Sequence, residues 1–328
     1  MRIAVLGGGA WGTAIALTAA GRNAVSLFAR DEAQVAALHS ERENKRYLPG
    51  FRVPDDVHVT ADLAEAVAGG PELVVIATPT NGLRATMQAL ARSGNEAPIL
   101  WLCKGFERTT GYLAHQIAAE ELGAQAAGPL SGPSFAQEVA AGQPAALTVA
   151  GSAALCQVAT AAFHFGALRV YATDDVTGVE VGGAVKNVMA IATGIADALK
   201  LGNNARAALI TRGLAEVTRL GVALGARAET FMGLTGVGDL LLTCTGELSR
   251  NRQVGFQLGK GIPLAKALAE LGHVAEGVWT APEVARRAQE AAVEMPITDA
   301  VCAVLAQKLT PQAALELLLA RDPRREGE

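Results

Sequence analysis

Short, continuously apolar runs alternate with helix-like segments through the first half of the chain. Residues 3–6, 25–29, 73–78 and 98–103 read as strands, and 13–20, 31–46, 62–68 and 82–92 as helices. The strands are apolar at successive positions rather than at every second one. That pattern belongs to a parallel sheet covered on both faces. Near residue 173 the character changes. Strand-like runs disappear, and long Ala/Leu/Val-rich helical segments follow, at 178–199, 203–224 and 282–292. The expectation is an α/β protein with two domains, a parallel-sheet domain at 1–173 and an all-helical domain at 174–328.

Composition narrows the class. A chain of 328 residues is long enough for two domains. With 28 Lys and Arg against 32 Asp and Glu, the net charge of −4 gives no footprint for nucleic acid or an anionic membrane. Half the residues are hydrophobic and 18% charged, which favours packed cores over disorder. No run of about 18 apolar residues stands uninterrupted, so no transmembrane segment is expected. The four cysteines, at 103, 156, 244 and 302, form no CxxC pair. With no signal-peptide pattern, they point to a reducing, cytoplasmic setting. The five histidines show no ligand spacing, and no catalytic metal is expected.

Gly7-Gly8-Gly9-Ala10-Trp11-Gly12 fits G-x-G-x-x-G, directly after an apolar strand and at the start of a helix. In that context Gly7 makes the tight turn, Gly9 admits a pyrophosphate and Gly12 lets helix and strand pack closely. This is the fingerprint of a Rossmann-type dinucleotide-binding domain, with the helix N-terminus facing the phosphates. Ala29-Arg30-Asp31 ends the second strand. Arg30 either faces a 2′-phosphate, stacks on adenine or is a plain surface residue, and Asp31 either meets the ribose or caps the next helix. The balance favours NADP, or dual NADP and NAD use, with NADPH accepted at least as well as NADH.

Other candidates lie outside the fingerprint. Lys104 ends an apolar strand, where ligands of such sheets bind, or is simply solvated. Ser131-Gly132-Pro133-Ser134 is a turn suited to anion contacts, or a plain turn. Lys186 stands among small and apolar residues, with Gly182 and Gly183 one turn earlier. An ammonium on such a face snorkels, pairs or lines a polar pocket that another backbone approaches. Asp239 sits at a helix start, as N-cap or otherwise, and Arg250 with Asn251 offers a fork and an amide for phosphate.

Taken together, GGGAWGTAIA, LCKGFE, LSGPSFAQEVA, GGAVKNVMAIATGI, TGVGDLLLTCTGELSRN and VAEGVWTA, in that order, resemble the bacterial NAD(P)-dependent sn-glycerol-3-phosphate dehydrogenases. The resemblance runs to about residue 315. It implies reversible reduction of dihydroxyacetone phosphate to sn-glycerol 3-phosphate, feeding glycerophospholipid synthesis. It further implies Lys186 as proton donor and acceptor, and Lys104 near the substrate carbonyl. Gly132, Ser134, Asp239, Ser249, Arg250 and Asn251 match substrate positions. Trp11, Arg30, Lys104, Ala136, Arg250, Val274 and Glu276 match cofactor positions. Ala10 stands where many members carry Ser. A homodimer is also implied. From the fold alone, a different two-domain Rossmann dehydrogenase or a non-catalytic NADPH-binding sensor remains open. The VKNVMAIATGI and SRN segments argue against the first, and Lys104 with Lys186 against the second.

Overall fold

The computed structural model describes residues 1–272 and 275–322. They divide into two compact units. The first holds 1–104 and 112–176, and the second 105–111 with 177 onward.

The first unit runs β1 (Arg2–Leu6), α1 (Ala10–Ala20), β2 (Ala24–Phe28), α2 (Glu32–Glu41), β3 (Glu43–Asn44), β4 (Leu48–Arg52), β5 (His58–Thr60), α3 (Leu63–Ala68) and β6 (Leu73–Ile76). It continues with α4 (Thr80–Arg92), β7 (Ile99–Trp101), α5 (Ala114–Leu122), β8 (Ala127–Ser131), α6 (Ala136–Ala140), β9 (Ala145–Ala150), α7 (Ala153–Phe163) and β10 (Leu168–Thr173). Eight strands form one sheet in the order β10-β9-β8-β7-β6-β1-β2-β5. Successive residues alternate between two cores. Ile3, Val5, Leu73 and Val75 enter one, and Ala4, Leu6, Val74 and Ile76 the other. Burial on both faces explains the unbroken apolar runs. The order reverses between β1 and β6, and in such sheets that switch point marks the ligand crevice.

Two expectations are corrected here. The sheet is not wholly parallel, because β8 pairs antiparallel with β9. The helix expected over 31–46 stops at Glu41. Arg42 then turns left-handed, with φ 53°, into the β3–β4 hairpin.

The second unit is helical: α8 (Val176–Ala198), α9 (Gly202–Ala223), α10 (Asp239–Thr245), α11 (Arg250–Gly259), α12 (Leu264–Leu271), α13 (Glu276–Glu290), α14 (Pro296–Leu305) and α15 (Pro311–Leu319). A π-helical turn, Leu234–Gly238, leads into α10. By length and composition α8 could cross a membrane, but its apolar window lies wholly inside the protein. It is a core helix. Helix α13 starts six residues before the expected Pro282, which it carries internally.

Candidate active site

The glycine loop lies at the carboxyl end of β1. Gly7 has φ +131°, and a Cβ there would stand 2.7 Å from the Ala77 carbonyl carbon just past β6. A Cβ on Gly12 would stand 1.8 Å from the Gly7 carbonyl oxygen. Both positions therefore require glycine for packing. Gly9 differs, since no protein atom lies within 4 Å of its Cβ position. It precedes α1, which has neither a side-chain cap nor an acidic residue in its first turn. Free N–H groups and the positive end of the helix dipole are thus offered to an anion on an open side. These residues fit a dinucleotide pyrophosphate.

At the end of β2, Asp31 is committed to its own helix. Its carboxylate accepts from the backbone N–H groups of Ala33 at 3.0 Å and Gln34 at 3.3 Å. Arg30 beside it is exposed and has no side-chain partner among the described residues. Further along the sheet, neighbouring β7 and β8 bring Lys104 to Gly132. The Lys104 ammonium reaches the Gly132 carbonyl at 3.4 Å, and the Ser134 hydroxyl donates to the same oxygen at 2.9 Å. Gly132 has φ +140°.

Within the helical unit, Lys186 sits mid-way along α8 and is 7% exposed. Its Nζ donates to the Asp239 carboxylate at 2.5 Å and to the Thr243 hydroxyl at 2.9 Å. Thr243 in turn donates to the Asp239 carbonyl at 2.6 Å. Close approach of backbones makes this pairing possible. A Cβ on Gly182 would lie 2.3 Å from the Thr235 carbonyl oxygen, so only glycine lets the Leu234–Gly238 turn settle on α8 and aim Asp239 at Lys186. Such a buried pair has specific consequences, because removing one partner strands the other charge at a cost of about 3–5 kcal/mol.

The start of α11 lies against the same helix. Ser249 caps it, accepting from the Arg252 N–H at 3.3 Å. Asn251 donates to the Asn187 side-chain carbonyl at 3.0 Å, and its own Oδ1 accepts from the Gly277 N–H at 2.9 Å. One Asn251 N–H is left for a ligand. Arg250 is exposed, with no side-chain partner among the described residues.

Models of the NAD-dependent glycerol-3-phosphate dehydrogenase N-terminus and C-terminus match residues 2–156 and 175–316. The chain belongs to this family. It is 59% identical over 333 residues to the glycerol-3-phosphate dehydrogenase [NAD(P)+] of Methylibium petroleiphilum, covering 100% of this chain and 99% of that one. The Dechloromonas aromatica protein of the same name is 55% identical over 328 residues, covering 99% of each. The crystal structure of the Coxiella burnetii glycerol-3-phosphate dehydrogenase superposes with a TM-score of 0.94 at 40% identity, over 98% of this chain and 99% of that one.

Within this dehydrogenase fold, the residues singled out from sequence gather in separate groups. Gly7, Gly9, Gly12 and Trp11 form the loop and first turn of α1, with half-buried Trp11 packed on the core. Ala136 opens α6, and Glu276 opens α13. Val274 lies outside the described residues. Asp239 is not an N-cap. Gly238 precedes α10, and the Asp239 side chain is turned to Lys186. Sequence reasoning missed Thr243 and Asn187 as partners, and it missed Asn44, whose amide reaches the Gly8 carbonyl at 2.9 Å. The adjacency of Asn187 to Lys186 was the one local signal. Asn44 lay in a segment read as helix.

Proposed function

We propose that Lys186 delivers the proton in this chain's reaction, with Lys104 at the substrate carbonyl and Arg250, Asn251 and Ser249 around the phosphate. The reaction is the reversible, NAD(P)-linked reduction of dihydroxyacetone phosphate to sn-glycerol 3-phosphate. The dinucleotide, when bound, supplies hydride chemistry at C2. Turning a C2 carbonyl into a hydroxyl also requires a proton at its oxygen, and Lys186 Nζ is a buried donor suited to that task. Asp239 and Thr243 hold Nζ in place and compensate its charge before transfer. Lys104 adds positive charge where the carbonyl oxygen gains negative charge. The Arg250 fork and the spare Asn251 N–H supply binding energy remote from C2, which orients the substrate. Gly132 and Ser134 are further substrate contacts. Arg30 meets the 2′-phosphate of NADPH. Trp11, Lys104, Ala136, Arg250, Val274 and Glu276 are assigned to the cofactor with the glycine loop. The product is the backbone of glycerophospholipids, so the enzyme serves lipid synthesis in the cytoplasm.

The observation that carries this reading is the Lys186–Asp239–Thr243 cluster in the middle of a core helix. Lys186→Met keeps length and apolarity but removes the proton. Turnover with dihydroxyacetone phosphate should fall ~10²–10⁴-fold, with the NADPH dissociation constant little changed. Near-wild-type turnover at saturating substrate would show that the proton comes from elsewhere.

A homodimer completes the proposal. Leu317 and Leu319 on α15 are 58% and 75% exposed. Leu319 lines a cavity of about 430 Å³, together with Leu209, Ile297, Val304, Leu315 and Leu318. Pairing would cover this apolar surface. Sedimentation velocity should give twice the chain mass for the wild type and a shift toward monomer for Leu319→Lys.

A further inference from the structure

Gly8 occupies one of the unspecified positions of the fingerprint, yet its peptide is the most heavily braced in the loop. Its carbonyl oxygen accepts from Asn44 Nδ2 at 2.9 Å and also from Gln34 Nε2. Asn44 is 2% exposed, and its amide is fully engaged. Its Nδ2 also donates to the Thr13 hydroxyl at 2.7 Å, and its Oδ1 accepts from the Tyr47 N–H at 3.3 Å. With both N–H groups and the oxygen used, only one amide orientation satisfies the neighbours. Gln34 is positioned in turn through its backbone, by Asp31. A Cβ on Gly8 would lie 2.6 Å from the Ala29 Cβ and 2.9 Å from Gln34 Nε2, so Ala29 and the Gln34 brace leave no room for a side chain there.

The consequence follows from peptide geometry. In a trans peptide the carbonyl and the next N–H point to opposite sides, and the chain has no cis bond among the described residues. Drawing the Gly8 carbonyl inward onto Asn44 and Gln34 therefore turns the Gly9 N–H outward. Gly9 is the residue with open space around it at the head of α1. We propose that Asn44, assisted by Gln34, is a positioning residue for the cofactor. It locks the Gly8–Gly9 peptide so that the Gly9 N–H is already aimed at the pyrophosphate. The β3–β4 hairpin, which carries Asn44, then has a function in the nucleotide site. This rests on the reading of the glycine loop as a pyrophosphate site.

Asn44→Asp keeps the size of the side chain but replaces the donor with oxygen, which repels the Gly8 carbonyl. The test compares two ligands by calorimetry or by competition against NADPH fluorescence, without turnover. NADPH carries the pyrophosphate, whereas adenosine 2′-monophosphate carries the adenine, ribose and 2′-phosphate without it. A misaimed hydrogen bond to an anion should weaken NADPH ~10–100-fold. Adenosine 2′-monophosphate should change less than about twofold. Equal weakening of both ligands means a general structural role and overturns the proposal, as does no change in either. Should the wild type bind NADPH no more tightly than adenosine 2′-monophosphate, the pyrophosphate reading itself fails and takes the proposal with it. If Asn44→Asp does not fold, Gln34→Leu removes the second donor from a half-buried position, and the same two-ligand split decides.

Discussion

A carboxylate free at the end of β2 would repel a 2′-phosphate, and the one present is not free. Asp31 accepts from two N–H groups of its own helix and pairs with the Arg46 guanidinium at 3.4 Å, so the exposed guanidinium groups of Arg30 and Arg46 flank it at the strand end. NADPH should therefore be used at least as well as NADH, and Arg30→Asp should shift the ratio of kcat/KM values toward NADH. Measuring both cofactors in both proteins checks this, and a strong wild-type preference for NADH would contradict it. Arg250 permits a similar single-residue argument. Arg250→Lys keeps the charge but loses the planar fork, so KM for dihydroxyacetone phosphate should rise. Arg250→Ala loses both, and kcat should fall too, because phosphate binding helps to orient C2. Since Arg250 is also assigned to the cofactor, NADPH affinity has to be followed in parallel. Unchanged substrate kinetics in Arg250→Ala would remove the SRN segment from the substrate site.

Lys186 and the proposed phosphate anchor, Arg250, lie on different helices, and the crossing of α8 with α11 sets their spacing. A Cβ on Gly194 would lie 2.0 Å from the Arg252 carbonyl oxygen, and one on Gly255 would lie 2.0 Å from that of Ile191. The two backbones thus touch through glycine notches, and Asp197 at the end of α8 grips the Arg252 guanidinium at 2.7 Å. Gly194→Ala should force the helices apart at a cost of ~1–3 kcal/mol. It should raise KM for dihydroxyacetone phosphate, and the NADPH dissociation constant has to be followed in parallel because Arg250 opens α11. A denaturation midpoint and a KM equal to wild type would show that the crossing absorbs the methyl group. Little of this geometry is visible in sequence, though α8 itself is, while α11 is not marked by any long apolar segment. The apolar stretch around Lys186 announces α8 to within two residues, whereas its partner Asp239 is 53 positions away and is brought in by a backbone approach at Gly182. The glycine loop was legible because a strand, a turn and a helix meet within a dozen residues. The β3–β4 hairpin was not, since Glu41 to Arg46 is polar and charged, as an exposed helix would be. The antiparallel β8–β9 pair escaped for another reason, since the sequence suggests no strand at 127–131 or 145–150, where Gly128, Pro129 and Thr148 interrupt the apolar positions.

At the scale of the whole molecule, buried Lys186 and Asp239 compensate each other's charge, whereas buried Glu216 is held in the helical unit by hydrogen bonds from neutral donors. Glu216 on α9 is 1% exposed, and its carboxylate reaches across to the start of α14. It accepts from the Ile297 N–H at 2.7 Å, the Thr298 N–H at 3.2 Å and the Thr298 hydroxyl at 3.1 Å. These bonds favour the ionised form, but burial outweighs them and raises the pKa from 4.5 to about 7. The folded protein therefore binds the proton more tightly than the unfolded chain does. Stability from this group is fully present below pH 4.5 and is lost as pH rises through about 7. A shift of that size corresponds to ~3 kcal/mol between the two limits. Glu216→Gln removes the titration while retaining an acceptor for one α14 N–H. Comparing denaturant unfolding of the two proteins from pH 5 to pH 8 isolates the contribution, because every other titrating group is common to both. The wild type should lose stability relative to Glu216→Gln as the pH rises, most steeply between pH 5 and 7. Parallel curves would mean that the hydrogen bonds at the head of α14 keep Glu216 ionised throughout, and that burial is not the stronger effect.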